Sequence, residues 1–271
     1  MREADYQRLL KVLIEVTEAN KGVVAGHDDR VLDAEGLALK FVFHAASALY
    51  LYRSTSLPEF GASFFDPGSV NVLSRTALET FLVFHYVFVE PQSDEERDCR
   101  YMTWVLGGYL EREELPVWSA EGQAAMEREA RLISPLTEKL KANAAFRQLP
   151  AGDQKKLLKG EWRLRSWTSI GRSAGLHDVN AKAFYSYLCG YAHAGNLSVL
   201  QMRQANTAEL QRSLCASSMT LVVIAMANMV KSYCAVFPKS MDRLTQDPEG
   251  GGLVEVWTGV GAAGPPDRET S

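Results

Sequence analysis

The sequence lacks most of the features that announce a function. Its 271 residues hold four cysteines, at 99, 189, 215 and 234, with no CxxC pair and no finger spacing. That excludes a dense disulfide scaffold and fits a reducing cytoplasm. There is no Walker-type glycine loop, no GxGxxG and no GxSxG elbow, so the common nucleotide-binding and hydrolase plans have no foothold. No HxxxH, ExxH or HxxE pair is present, and a metal site needs three or four ligands of matching geometry, so the sequence predicts neither metal nor cofactor. Alternating apolar and polar runs joined by two-residue turns are missing too, which argues against a β-rich fold. Neither sign of charge dominates: 29 basic and 33 acidic residues give a formal charge of -4, within a chain that is 46% hydrophobic and 23% charged. Such a composition belongs to a folded globular protein rather than a disordered one.

What is present is helix. Between the ten prolines lie stretches rich in helix formers, with apolar residues three and four apart. The pattern predicts helices at 3–20, 31–54, 68–89, 93–114, 119–146, 151–159, 166–175, 179–194 and 206–236. Asp33, Asp178 and Asn206-Thr207 are placed as starts. The charged N-terminus, MREADYQRLLKVLIEVTEAN, reads as an amphipathic helix and not as a secretory signal. Leu214 to Val230 is a run of 17 uncharged residues, at the lower limit for a membrane span. Its serines, Thr220 and Asn228 favour a buried central helix, so the expectation is a cytoplasmic protein with no membrane partner. From Thr245 the chain holds six of its 20 glycines and three of its ten prolines. The expected plan is all-α, a multi-helix bundle: one helical-bundle domain over 1–244 and a flexible Gly/Pro-rich tail over 245–271, in which LVEVW could dock locally.

The near-neutral total hides a division. From Thr137 to Arg172, nine basic residues face three acidic ones; from Glu90 to Ala130, eleven acidic residues face four basic ones. In the basic segment Lys155, Lys156, Lys159, Arg163 and Arg165 are interleaved with Trp162 and Trp167, a composition suited to phosphate and base contact. The same residues would equally make a solvated face with two Trp anchors.

One polar stripe stands out. In GSVNVLSRTALETFLVFHYVFV (68–89), Asn71, Arg75 and Glu79 recur every four residues and share one face of an otherwise apolar helix. Charges buried there require an internal network or a ligand, because desolvation costs several kcal/mol per ion. In AKAFYSYLCGYAHAGN the small residues Ser186, Gly190 and Ala194 form a seam that would admit another helix. Tyr185, Cys189 and His193 line the adjacent face. If this helix packs on the stripe, an Arg, an acid, a His and tyrosines converge in a set that could do acid–base work or hold an anion. His44 and His85 sit on apolar helices and could join it or be core histidines.

The ordered segments HAASALYLY (44–52), VLSRTALETFLVFHYVF (72–88), SWTSIGRSAGL (166–176) and FYSYLCGYAHAG (184–195) resemble a bacterial all-helical family of HEPN-like type. In it an R-[ST]-x-x-x-E helix precedes, by about a hundred residues, a Tyr-rich helix ending in His; the likeness covers about 35–236. The resemblance implies a helical bundle acting on RNA in toxin–antitoxin or phage-defence settings. It marks Arg75, Glu79 and His193 as site residues, with Tyr187, Tyr191 and Trp167 as companions. HEPN ribonucleases carry R-x(4–6)-H on one helix. His193 has no Arg at 186, 187 or 188, whereas Arg172-SAGL-His177 matches literally, as chance alone would provide. The expected catalytic set is therefore Arg75, Glu79 and His193, and the expected anion-binding set is Tyr187, Tyr191, Arg163, Arg165, Arg172 and His177. The expected partner is RNA or a phosphorylated small molecule, and a homodimer is expected. The main functional expectation is an RNA-associated stress or defence effector, a degenerate or atypical ribonuclease. The alternative is a non-enzymatic helical scaffold or small-anion sensor.

Overall fold

A computed structural model describes residues 2–20, 29–193 and 195–263. The described residues are all-α, with thirteen α-helices and one two-stranded hairpin. The chain divides into two compact units, one of Met1–His85 with Trp167–Ser271 and one of Tyr86–Ser166.

The first unit is built around α11 (Ala208–Val236). Thr207 caps its start, its hydroxyl accepting from the Leu210 N–H at 3.3 Å. The uncharged run 214–230 supplies most of its buried positions, among them Met219, Val223, Met226 and Val230. Around it pack α1 (Glu3–Glu18), α2 (Asp29–Tyr52) and α3 (Pro67–Phe84). Asp66 caps α3 by accepting from Ser69 N–H at 2.9 Å, and Pro67 occupies the first turn, where no backbone donor is needed. Among the described residues, Pro67–Val89 and Ala208–Val236 are long and apolar enough to cross a membrane by length and composition. More than half of each apolar window is buried inside the protein.

Between α2 and α3 a short hairpin, β1 (Thr55–Leu57) with β2 (Ala62–Phe64), pairs Ser56 with Ser63. Gly61 turns it with φ of 59°, a left-handed conformation that costs glycine little. Three residues per strand leave too little alternation to be seen in the sequence. In the same unit lie α8 (Trp167–Ser173), α9 (Asp178–Ala192), α10 (Asn196–Gln204), α12 (Pro238–Thr245) and α13 (Pro248–Ala263). The segment expected to be a flexible tail is thus helical over 248–263. Gly250, Val254, Trp257 and Gly261 form its buried face at helical spacing. The carbonyl of Gly261 accepts from the His177 N–H at 2.9 Å and from Asn180 Nδ2 at 3.2 Å. Residues 264–271 and Ala194 lie outside the described residues.

The second unit holds α4 (Asp94–Glu113), α5 (Ala120–Ala142), α6 (Ala144–Gln148) and α7 (Ala151–Leu157). Cys99, Leu106, Leu140, Phe146 and Leu157 form its core. Asn143 splits the expected helix 119–146 in two: it ends α5 in extended conformation and caps α6, accepting from Phe146 N–H at 3.0 Å. Pro135, by contrast, lies inside α5 without ending it.

Candidate functional site

The stripe on α3 divides between two neighbours. Asn71 is fully buried; its Nδ2 donates to the Pro67 carbonyl at 2.7 Å and its Oδ1 accepts from the Ser218 hydroxyl of α11. This group is architectural, since it satisfies a polar side chain between two core helices. Arg75 and Glu79 lie instead on the α9 side. Arg75 Nε donates to Glu79 Oε1 at 3.1 Å, and Arg75 Nη1 lies 3.1 Å from His193 Nε2 at the end of α9. A guanidinium carries only donors, so in this contact the imidazole Nε2 accepts and carries no proton. The three residues named for catalysis therefore meet.

They meet at the surface rather than in a sealed core. The side chains of Arg75 and Glu79 keep 19% and 26% of their accessible surface, and His193 is exposed. The guanidinium carbon of Arg75 lies 5.6 Å from the centroid of the Tyr185 ring, within cation–π range. Tyr185 in turn faces Trp167, with centroids 6.4 Å apart. Burial works against the charge on Arg75, but Glu79 first, then Cys189 and Tyr185, favour it and set its pKa above the ordinary value. Burial, the hydrogen bond with Cys189 and the charge of Glu79 push the Tyr185 hydroxyl up to about 12. The site thus presents a fixed cation paired with the Glu79 side chain, an imidazole nitrogen against that cation and a protonated phenol.

It is the Tyr185, Cys189 and His193 face of α9 that brings His193 to α3. Ser186, in the small-residue seam, is exposed, and a methyl placed on Gly190 would meet nothing within 4 Å. The tyrosines named for the site point elsewhere: the Tyr187 hydroxyl donates to the Leu214 carbonyl at 3.3 Å, and that of Tyr191 to Gln201 Oε1 at 3.0 Å. Tyr187 and Tyr191 pack edge to face at 5.2 Å and tie α9 to α10 and α11. Tyr185 is the tyrosine of the site. Its signal was present in the sequence, since Tyr185, Cys189 and His193 are four apart and Tyr187 is not in that series.

The literal R-x4-H segment is occupied by local structure. Arg172 forms an ion pair with Asp178, while His177 caps α9, its Nδ1 accepting from Val179 N–H at 3.3 Å. Arg163 and Arg165 belong to the second unit and are likewise engaged. Arg163 Nη1 donates to the Arg165 carbonyl at 2.7 Å, and Arg165 pairs with Glu90, which Arg100 also holds. Trp162 packs on Tyr86 with centroids 6.0 Å apart. Over Tyr86–Ser166 thirteen basic residues stand against fourteen acidic ones, so the basic segment is balanced within its own unit. Lys155, Lys156 and Lys159 are its exposed cations on and just after α7.

Among the described residues, no group of three or more His, Cys, Asp and Glu side chains is placed to hold a metal ion. His44 Nε2 is buried without a hydrogen-bond partner, and burial, then Lys40, lower its pKa; His85 stacks obliquely on Phe81 with centroids 6.3 Å apart. No protein-family model, no curated protein and no solved structure matches the chain.

Proposed function

We propose that the α3–α9 face is a phosphodiester site and that the chain is a HEPN-like protein acting on RNA as an atypical ribonuclease. The observation that carries this reading is the 3.1 Å contact between Arg75 and His193 beside solvent. Metal-independent RNA cleavage needs a base to take a proton from the ribose 2′-hydroxyl and a cation to hold the phosphate oxygens. Arg75 turns its Nη1 from His193 to a phosphate oxygen when substrate binds, and this frees the Nε2 lone pair of His193 to take the proton. The 2′-oxygen then attacks phosphorus, the bond to the 5′-oxygen breaks, and the departing oxygen takes a proton from a water that takes one in turn from His193, leaving a cyclic 2′,3′-phosphate, a 5′-hydroxyl and the free base. Tyr185 and Trp167 offer aromatic surface beside the cation on which a base can stack. Here Arg and His come from two helices 118 residues apart in sequence, rather than from one helix at R-x(4–6)-H spacing.

The scaffold reading keeps one specific support. Glu79 already partners Arg75, and a carboxylate beside the cation weakens its hold on a second anion. Incubation of the purified protein with end-labelled RNA oligonucleotides separates the two readings. The nuclease reading expects salt-sensitive binding, and cleavage that His193→Ala abolishes and Arg75→Ala reduces at least tenfold, about 1.4 kcal/mol of barrier. Absence of both binding and His193-dependent cleavage would overturn it in favour of the scaffold.

A further inference from the structure

The solvent side of α2 carries a pattern that the α3–α9 site does not use. One side of this helix is buried through Ala34, Ala38, Phe41, Ala45, Ala48 and Leu49. On the other side, Asp29, Leu32, Gly36, Leu39, Phe43, Ala46, Tyr50 and Arg53 are all exposed and follow each other at alternating steps of three and four. Among residues 29–53, Lys40 and Ser47 are the other exposed positions. Leu32, Leu39, Phe43 and Tyr50 keep 57%, 51%, 59% and 73% of their surface. A repeat that averages 3.5 residues and is apolar at its centre is the seam by which one helix packs along another, knobs into holes. Solvent does not require that period.

We propose that this face pairs with the same face of a second copy, the two α2 helices running antiparallel about a two-fold axis near residue 41. That register sets Leu39 against Phe43 at the centre, the small Gly36 against the small Ala46, Leu32 against Tyr50, and Asp29 against Arg53 at each end. Every large residue meets a large one, every small one a small one, and the terminal charges are opposite. Arg53 already gives its Nε to Glu3 at 2.9 Å and keeps half of its side chain exposed, so it has donors left for an acid. A parallel pairing in register would set Asp29 on Asp29, Arg53 on Arg53 and Gly36 on Gly36, with repulsion at both ends and a gap within. A two-fold contact of this kind is closed and self-complementary. The stripe offers roughly 700 Å² per copy, close to the ~800 Å² per partner of a standard interface. A bilayer is the poorer occupant, because within α2 Lys40 is the exposed cation of this face and a surface-bound helix flanks its apolar stripe with several.

Light scattering on the eluting full-length protein tests the pairing. A dimer is expected at tens of micromolar. Phe43→Glu, and separately Leu39→Lys, should turn it into a monomer of unchanged helical circular dichroism, since each side chain keeps more than half of its surface exposed in the single chain. Orientation is read by oxidising introduced cysteines. A mixture of Leu32→Cys and Tyr50→Cys chains should give a mixed disulfide dimer. Leu32→Cys alone should not, its two copies lying about 27 Å apart along the axis at 1.5 Å per residue. A monomeric wild type, a dimer that survives both charge substitutions, or efficient crosslinking of Leu32→Cys with itself would overturn the proposal. So would a monomer that sediments with vesicles of phosphatidylserine and phosphatidylcholine and loses this with Phe43→Glu.

Discussion

Arg75 and Glu79 show how exposure sets what a charge pair contributes. In a sealed apolar helix, removing one partner would strand the other and cost on the order of 3–5 kcal/mol. Here both side chains reach solvent and retain about a fifth to a quarter of their surface. The orphaned group can hydrate, so Arg75→Ala and Glu79→Ala should each lower unfolding free energy by about 1–2 kcal/mol, the range of a charge-assisted hydrogen bond. Urea titration followed by circular dichroism measures it. A loss above about 3 kcal/mol for either would mean that the pair is structural first. His193→Ala removes an exposed ring and should leave stability nearly unchanged, which separates any effect on RNA from an effect on folding.

At the scale of elements, glycine in α13 has a packing role. A methyl on Gly261 would lie 2.5 Å from Ile224 Cγ2 on α11, too close for either atom to stay. The helix can therefore lie against α11 only with a hydrogen at that position. Gly252, on the exposed side of the same helix, has nothing within 4 Å of such a methyl. The two sites predict opposite outcomes. Gly261→Ala should destabilise by about 1–3 kcal/mol through overpacking, whereas Gly252→Ala should stabilise by about 0.5–1 kcal/mol through helix propensity. Thermal melts of the two variants check both signs, and equal shifts would show that α13 does not pack closely on α11. The periodicity does not mark α10 and α12, nine and eight residues long, although it marks the seven-residue α7 and α8. Tertiary contact holds α12: Ser240 is fully buried and donates to the Val16 carbonyl at 2.7 Å.

For the whole molecule, burial of neutral acids makes stability fall at high pH. Burial raises Cys99 and Cys234 to about 11, and Cys215 and Tyr233 to about 12, from ordinary values of 9.0 for Cys and 10.0 for Tyr. Between those limits the folded chain holds protons that the unfolded chain has released, so stability is complete below about pH 9 and declines as pH climbs toward 12. Cys99 lies in the second unit and the others in the first, so both units are affected. His44 acts at the other end. Its lowered pKa means that the unfolded chain binds the proton first, and stability falls as pH drops through 6.5. Melting temperature should therefore be highest between about pH 7 and 9; a flat profile from 8 to 11 would contradict the burial of these groups.

Much of this was written in local pattern. The 3.6-residue period gave the helical class, the uncharged run gave the buried centre, and four-residue spacing gave both the Arg75/Glu79 pair and the Tyr185, Cys189 and His193 face. These are interactions among near neighbours, and sequence determines them because helix geometry converts spacing into direction. What only the tertiary structure decided was which of several polar groups would be used up. Asn71 went to Ser218, Arg172 to Asp178, Arg165 to Glu90 and the Tyr187 hydroxyl to the Leu214 carbonyl, while His193 met Arg75 beside solvent. The same holds for α13, whose glycines read as flexibility until α11 stands next to them. A side chain's partner across the fold depends on how helices far apart in sequence come to lie together, and no spacing along the chain encodes that distance.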